Sequence, residues 1–117
     1  MLKDYKDCFL PCVPIMQQKE FLQEIKDAVL AFDCKAQVIL SGSRARGDNK
    51  PDSDWGILVL TERKADATFI RELMDSIYDL ELTYLQAISL LIVERKVWEN
   101  WAIMPLYKNI VREGLTV

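Results

Sequence analysis

Apolar residues recur along the chain with a helical period in two long stretches. From Ile15 to Phe32 they alternate with charged positions and form one stripe, made of Phe21, Ile25, Ala28, Val29 and Phe32. A second stripe follows Asp66 and Thr68, which are both suited to cap a helix, and it comprises Phe69, Ile70, Leu73, Met74 and Ile77. These spacings predict two long helices, the first of them packed on a sheet.

Three shorter apolar runs, at residues 36–40, 57–60 and 87–93, have the length and residue types of strands. The third run is apolar on both faces apart from Ser89, and this pattern predicts a central or well-covered position in the sheet. A sheet of at least three strands is therefore expected.

A last helix is predicted near the end of the sequence. It should begin at Pro105 and end at Gly114, a natural C-cap, with apolar positions at Leu106, Ile110 and Val111. The first residues are irregular, and Pro14 is suited to open the first helix. The order helix, strand, loop, strand, helix, strand, helix predicts an α/β (α+β) fold with helices packed on the sheet.

Length and composition narrow the class of protein. The 117 residues suffice for one domain, placed at 1–117, and the sequence contains no repeats. A net charge of −3 and a pI near 5.0 argue against non-specific binding to a nucleic-acid backbone. No apolar run approaches the length of a membrane span, and the N-terminus lacks the apolar region of a signal peptide, so a cytoplasmic protein is expected.

The cysteines give no indication of a cross-link. Cys8, Cys12 and Cys34 are an odd number in a chain that can build its own core, so reduced thiols are expected. A zinc site at Cys8 and Cys12 is disfavoured, because the sequence has no histidine and only one further cysteine.

The most informative segment, residues 41–54, joins the first two predicted strands. Gly42 permits a sharp turn and the close approach of a phosphate, because it has no side chain. Ser43 offers an N–H and a hydroxyl at the start of a helical turn, where the backbone dipole favours anions. Arg44 or Arg46 could add positive charge, so the segment predicts a nucleotide-binding turn.

A carboxylate is delivered to the same turn. Gly47 closes the turn, and Asp54 enters the next strand beside it, where it could hold a Mg²⁺ ion that bridges phosphate oxygens. Each feature alone is a weak signal. Gly-Ser after a strand is usually only a turn, and the Arg-Gly-Asp at 46–48 is attributed to chance and not to cell adhesion. The segment is also not a Walker A loop, because no Gly-Lys-Ser/Thr follows. The combination between two strands predicts a nucleoside triphosphate site with a metal.

This segment resembles the signature of the minimal nucleotidyltransferases of the DNA polymerase β superfamily, in which Gly-Ser is followed, after a spacer, by Asp-x-Asp. The chain matches it with Gly-Ser-Arg-Ala-Arg-Gly at 42–47, Ser-Asp at 53–54 and the apolar run at 57–59. The element order and the C-terminal segment at 105–115 are also similar to this family. The resemblance implies the nucleotidyltransferase fold, a small mixed sheet of three or four strands that carries helices.

The resemblance also implies an activity: transfer of a nucleoside monophosphate from a nucleoside triphosphate to an acceptor hydroxyl, with Mg²⁺ held by the Asp-x-Asp pair. Gly42 and Ser43 match the phosphate-binding pair, and Asp54 matches the first carboxylate. Gly56 replaces the second carboxylate, and a third acid, expected on the next strand near Ser89, is missing too. Reduced or absent turnover is therefore expected.

Other side chains could contribute to such a site. Asp52 forms an Asp-x-Asp with Asp54 and would share its side of an extended strand, which makes it the second candidate metal ligand. Glu81 and Glu94 flank the third strand, but surface charge is the simpler interpretation of all three acids. Four aromatic residues could stack on a base, although packing is the simpler expectation for Tyr84, Trp98, Trp101 and Tyr107.

Three functions stay open. The first is a nucleotidyltransferase of reduced activity that uses Mg²⁺ and a nucleoside triphosphate. The second is a catalytically degenerate nucleotide-binding or regulatory partner, because small members of the resembled family are often encoded beside a HEPN-type helical protein as its antitoxin. The third is an α/β interaction module whose loop is inactive. A homo-oligomer is compatible with each of them.

Overall fold

The computed structural model of the protein describes the backbone of residues 15–117 and the side chains of residues 18–117. Its elements in chain order are helix α1 (Ile15–Phe32), strand β1 (Gln37–Ser41), the short helix α2 (Ser43–Arg46), strand β2 (Trp55–Thr61), helix α3 (Ala67–Tyr84), strand β3 (Ile88–Glu94), helices α4 (Arg95–Glu99) and α5 (Pro105–Glu113), and strand β4 (Leu115–Thr116). Cys8, Cys12 and Pro14, for which expectations were drawn from the sequence, lie outside these described residues.

The strands form one mixed sheet in the order β3-β2-β1-β4. Strand β1 is antiparallel to both β2 and β4, whereas β2 and β3 are parallel. The predicted α/β fold with a small mixed sheet is therefore confirmed. Strand β3 lies at an edge and not at the centre, but it is covered on both faces, since Leu90 packs against one core cluster and Val93 belongs to the other.

Two apolar clusters hold the helices on the sheet. Alternate residues of β2 point to opposite faces, so Ile57 and Val59 join the cluster beneath α1 and α3, and Leu58 and Leu60 join the cluster beneath α4 and α5. The first cluster also contains the buried stripes of the two long helices, namely Phe21, Ile25, Val29, Phe69, Leu73 and Ile77. The second is completed by Val93, Trp98 and Ile110.

Three residues of the predicted helix stripes are not in the core. Met74 is 48% exposed, because the buried arc of α3 follows the line through Leu73 and Ile77 and leaves Met74 on its edge. On α5 only Ile110 is buried, and Leu106 and Val111 lie on the exposed side of the helix. The helices were correctly predicted, but the width of their apolar faces was overestimated.

The helix ends show which predicted caps are used. Asp66 Oδ1 accepts a hydrogen bond of 2.9 Å from the backbone N–H of Phe69, whereas Thr68 lies inside α3. Gly114 follows α5 with an ordinary φ of −69°, so it is not a left-handed cap. A Cβ there would lie 2.6 Å from the Ile110 carbonyl oxygen and 2.8 Å from Ile39 Cγ2, so close approach is what requires glycine.

A buried carboxylate joins the loops after α1 and β2. Asp33 accepts hydrogen bonds from the Thr61 hydroxyl and from the backbone N–H groups of Lys35, Glu62 and Arg63. Burial raises the pKa of Asp33, but the Thr61 hydroxyl and the three N–H groups stabilise the ionised form and bring its pKa below the usual value.

Expectations from the sequence also covered the cysteines and membrane-spanning segments. Cys34 is an exposed free thiol. No helix within residues 15–117 is long and apolar enough to cross a bilayer.

Candidate functional site

Three small residues form a row across the sheet where β1 ends and β2 and β3 begin. Ser41 pairs with Gly56 in the antiparallel register, and Gly56 pairs with Ser89 in the parallel register. Strand alternation places this row on the face of the sheet that carries Leu58 and Leu60. Helices α4 and α5 cover the far part of that face, and Ser89 is exposed.

Asp54 lies at the open end of this row, immediately before β2. Its Oδ2 accepts a hydrogen bond of 3.2 Å from Ser89 Oγ, and both side chains are exposed. The position at which the resemblance implied a third acid therefore lies next to Asp54, and a hydroxyl occupies it. Within residues 15–117 no group of three or more Asp, Glu, His or Cys side chains is placed to hold a metal ion.

The turn after β1 has the geometry expected of its glycines. Gly42 has φ 79° and ψ −157°, a conformation that other residues adopt only with strain. Its carbonyl oxygen accepts the N–H groups of Ala45 and Arg46 at 3.0 and 3.1 Å, which starts α2. Gly47 closes the turn in the left-handed region, with φ 88°. A Cβ at Gly42 would meet nothing within 4 Å, so the space before the turn is open.

Arg44 is committed to the loop that leads to Asp54. Its guanidinium donates to the carbonyl oxygens of Ser53, at 3.0 and 3.1 Å, and Pro51, at 3.3 Å. The same group lies 4.2 Å from the centre of the Trp55 ring, on the α1 side of the sheet. Arg44 therefore links the turn to the two residues on either side of Asp54.

Arg46 is held by two carboxylates. Its guanidinium lies 3.1 Å from Asp48 and 3.4 Å from Glu113, and these hydrogen bonds raise the pKa of Arg46. The Arg-Gly-Asp sequence thus forms an internal ion pair. Glu113, which sequence analysis did not single out, reaches the turn because β4 pairs with β1 and brings the end of α5 beside it.

Gly56 fits its place in the row for a steric reason. A Cβ at this position would lie 2.9 Å from the Ser41 carbonyl oxygen and 3.0 Å from Ser41 Oγ. The nearer contact is with backbone, which cannot rotate away as a side chain could. Strands β1 and β2 therefore approach each other at Ser41 and Gly56 more closely than a residue with a side chain allows.

The structure shows the surroundings of the other acids considered from the sequence. Asp52 is exposed in the turn at 51–52, and because β2 begins only at Trp55, strand alternation does not relate it to Asp54. Glu81 accepts a hydrogen bond of 2.8 Å from the Ile88 N–H at the start of β3. Glu94, at the other end of β3, accepts the Ala65 N–H at 3.1 Å.

The four aromatic residues pack inside the fold. The Tyr84 ring lies 4.8 Å from that of Phe21, and a hydrogen bond from its hydroxyl to Glu24 raises the pKa of Tyr84 to about 12. Trp98 packs on two rings of the second cluster, with centroid distances of 5.8 Å to Trp101 and 4.8 Å to Tyr107. Packing is thus the role that the structure gives them.

Comparison with known proteins found a matching family model and a solved structure with a similar fold. The family model described as "Nucleotidyltransferase domain" matches residues 15–114. A solved structure described as "Crystal structure of the toxin-antitoxin with AMP-PNP" has a similar fold, with a TM-score of 0.56 and 18% sequence identity over 80% of this chain and 69% of the other. A search of curated proteins found no match.

Proposed function

Because the chain belongs to the nucleotidyltransferase domain family, we propose that it binds a nucleoside triphosphate at residues 42–47 and that its capacity for nucleotidyl transfer is strongly reduced. The observation that carries the second half of this proposal is the row of Ser41, Gly56 and Ser89 across the sheet. The resembled minimal nucleotidyltransferases have acids where this chain has Gly56 and Ser89, and Asp54 alone is retained.

The binding half rests on the open turn. Gly42 and Ser43 would supply backbone N–H groups and a hydroxyl to the phosphates, as the resembled pair does. Arg44 would contribute by keeping the loop before Asp54 in place, because its guanidinium already binds two carbonyl oxygens there. Arg46, whose side chain is 42% exposed, would exchange its carboxylate partners for phosphate oxygens.

The residues present do not fit a resident pair of Mg²⁺ ions. Asp54 brings a carboxylate to this row, whereas Ser41 and Ser89 bring only neutral hydroxyls. The steric limit at Gly56 excludes a second acid there without movement of a strand. Asp54 could still supply one oxygen to a Mg²⁺ ion that arrives with the triphosphate, since such ions are often held mainly by phosphate and water. Asp54 is therefore proposed as a ligand of the substrate complex, without a contribution from Asp52.

A regulatory role follows from binding without efficient transfer. We assign the chain an antitoxin-like function as the nucleotide-binding partner of a HEPN-type helical protein. This assignment is supported by the fold similarity to a structure whose description names a toxin-antitoxin and AMP-PNP. The second candidate is a slow nucleotidyltransferase, which the retention of Asp54 beside the turn favours.

Calorimetric titration with Mg-ATP tests the binding half. The wild type and Asp52→Ala should bind with equal affinity, whereas Asp54→Ala should bind at least about tenfold more weakly because it loses the charged ligand. Asp52→Ala is the matched control, since it removes the same charge from the same loop. Absence of binding to the wild type, or equal losses in both variants, would contradict the proposed site.

A separate assay distinguishes the two candidates. The protein is incubated with Mg-ATP and a purified HEPN-type helical protein, and pyrophosphate release is measured. Release at the rate of a protein-free sample supports the degenerate partner. Release that is abolished by Asp54→Ala and kept by Asp52→Ala establishes the slow nucleotidyltransferase.

A further inference from the structure

Helix α3 carries a second apolar stripe, which lies beside its buried arc and is exposed. Met74, Tyr78 and Leu82 follow one another at intervals of one turn and are 48%, 57% and 56% exposed. Leu85, directly after the helix, extends the line and is 82% exposed. Helix α3 thus has two apolar faces, and only one of them packs against the rest of the described chain. This outer line is called the α3 stripe below.

Leu85 is held in a conformation that is unfavourable for leucine. Its φ of 54° and ψ of 43° are left-handed, and it is the one residue other than glycine with positive φ in the described chain. Glycine or asparagine normally ends a helix in this way. The Leu85 side chain is mostly exposed, so its burial does not compensate for the strained backbone. Such backbone outliers point to a function.

Acidic side chains line one side of the stripe. Glu72, Asp75 and Asp79 are spaced by three and four residues, so they form a parallel line on the same helix, and all three are exposed. None of them is within 4.0 Å of a cationic group of residues 18–117. The only base exposed on α3 is Arg71, one turn before Asp75. Three acids against one base leave this border of the stripe with a net negative charge.

We propose that the α3 stripe is the docking surface for an amphipathic helix of another protein, whose apolar line is flanked by lysine or arginine. The stripe from Met74 to Leu85 extends for about 16 Å, which matches three turns of a partner helix. Apolar contact with Tyr78, Leu82 and Leu85 provides affinity, and pairing with the acidic line selects a basic flank. This inference is independent of the nucleotide turn.

A second copy of the chain is a poorer occupant. Two copies of α3 packed antiparallel about a two-fold axis would bring each acidic line against the same line of the other copy. Such like charges oppose association unless they are neutralised. A partner with basic residues meets the same surface without this penalty.

A peptide titration tests the proposal with the full chain and without nucleotide. The probe is a fluorescein-labelled synthetic helix of about 18 residues, with leucines at i, i+4 and i+7 bordered by lysines. A second peptide has glutamate in place of each lysine. We expect the lysine peptide to bind, its affinity to fall with added salt, and the glutamate peptide to bind at least about tenfold more weakly.

Variants locate the binding. Leu82→Ser and Leu85→Gly should each lower the affinity of the protein for the lysine peptide by about tenfold. Leu85→Gly should not lower the midpoint of thermal unfolding, because glycine suits this backbone conformation. Val111→Ser is the matched control, since Val111 is a 63% exposed apolar residue on α5, and it should change nothing.

Three results would overturn the inference. The lysine peptide does not bind, the two peptides bind equally well, or Leu82→Ser leaves the affinity for the lysine peptide unchanged. Sedimentation of the free protein adds a fourth, because a wild-type dimer that Leu82→Ser dissociates would assign the stripe to a second copy. Asp54→Ala should leave the peptide affinity unchanged. Failure of the nucleotide proposal and failure of this one are thereby distinguished.

Discussion

Gly56 lies so close to Ser41 that a Cβ on Gly56 would be 2.9 Å from the Ser41 carbonyl oxygen. In the resembled nucleotidyltransferases this position carries the second carboxylate of the Asp-x-Asp pair. Here the absence of the carboxylate goes together with a strand pair that has closed over the vacant side-chain position. Restoring an acid would therefore require movement of the backbone as well as a new side chain.

We expect Gly56→Ala to lower the free energy of unfolding by about 1–3 kcal/mol, the usual cost of forcing an extra carbon into a packed contact. Gly56→Asp should cost at least as much. Urea denaturation measures both effects. Ser89→Ala, at the exposed end of the same row, is the control and should change stability by less than about 0.5 kcal/mol. An unchanged midpoint for Gly56→Ala would show that the strands separate easily at this point.

Position 89 is the better place to restore an acid. Ser89 Oγ is 3.2 Å from Asp54 Oδ2 and the side chain is exposed, so an aspartate there meets its partner without displacing backbone. Ser89→Asp should make the protein bind Mn²⁺ or Mg²⁺, because two adjacent carboxylates form a typical site for these ions. Addition of Mg²⁺ should then raise the midpoint of thermal unfolding of Ser89→Asp.

Ser89→Asn is the matched control for this metal prediction, because asparagine has the shape of the aspartate in Ser89→Asp but lacks its charge. It should show no shift with Mg²⁺, and neither should the wild type. A Mg²⁺ response of equal size in Ser89→Asn would indicate metal binding elsewhere in the chain. The absence of any response in Ser89→Asp would mean that the Asp54 carboxylate is not available to a metal.

Local signals in the sequence were enough to predict much of the fold. The helical period between Ile15 and Phe32 reproduces the bounds of α1, and the Asp66 cap marks the start of α3. Ser89 lies beside Asp54, on the strand where the resemblance implied a third acid. Each of these features depends on residues close together in the chain or on a motif with fixed spacing.

Long-range contacts explain what the sequence did not show. Glu113 reaches Arg46 only because β4 pairs with β1, and a two-residue strand leaves no periodic signal. The tight approach of Gly56 to Ser41 depends on the register of two strands. Apolar periodicity alone cannot say how wide the buried arc of a helix is, and Met74 was therefore included in the buried stripe although it lies at the edge of that arc.

The two arginines of the turn should respond differently to loss of charge. Arg44→Gln removes hydrogen bonds from a charged group to the Ser53 and Pro51 carbonyls, so it should lower the free energy of unfolding by about 1–3 kcal/mol. Arg46→Gln breaks ion pairs that are exposed to solvent and screened by it, so it should cost clearly less stability than Arg44→Gln. Urea denaturation of the two variants tests this order, and equal losses would show that Arg44 does not hold the loop.

Asp33 makes stability depend on pH in a defined window. Its pKa in the folded protein lies below the unfolded value of about 3.9, so its contribution is complete above that value and is lost as the pH falls through the folded pKa. Asp33→Asn should lower the free energy of unfolding at pH 7 by about 2–3 kcal/mol, because a buried acceptor of several N–H groups loses its charge. Urea titrations should show this deficit shrinking below about pH 4, since protonation weakens the wild type in the same way. Asp52→Asn, an exposed substitution of the same kind, should show no such pH dependence, and a deficit of Asp33→Asn that stays constant under acid would refute the assignment.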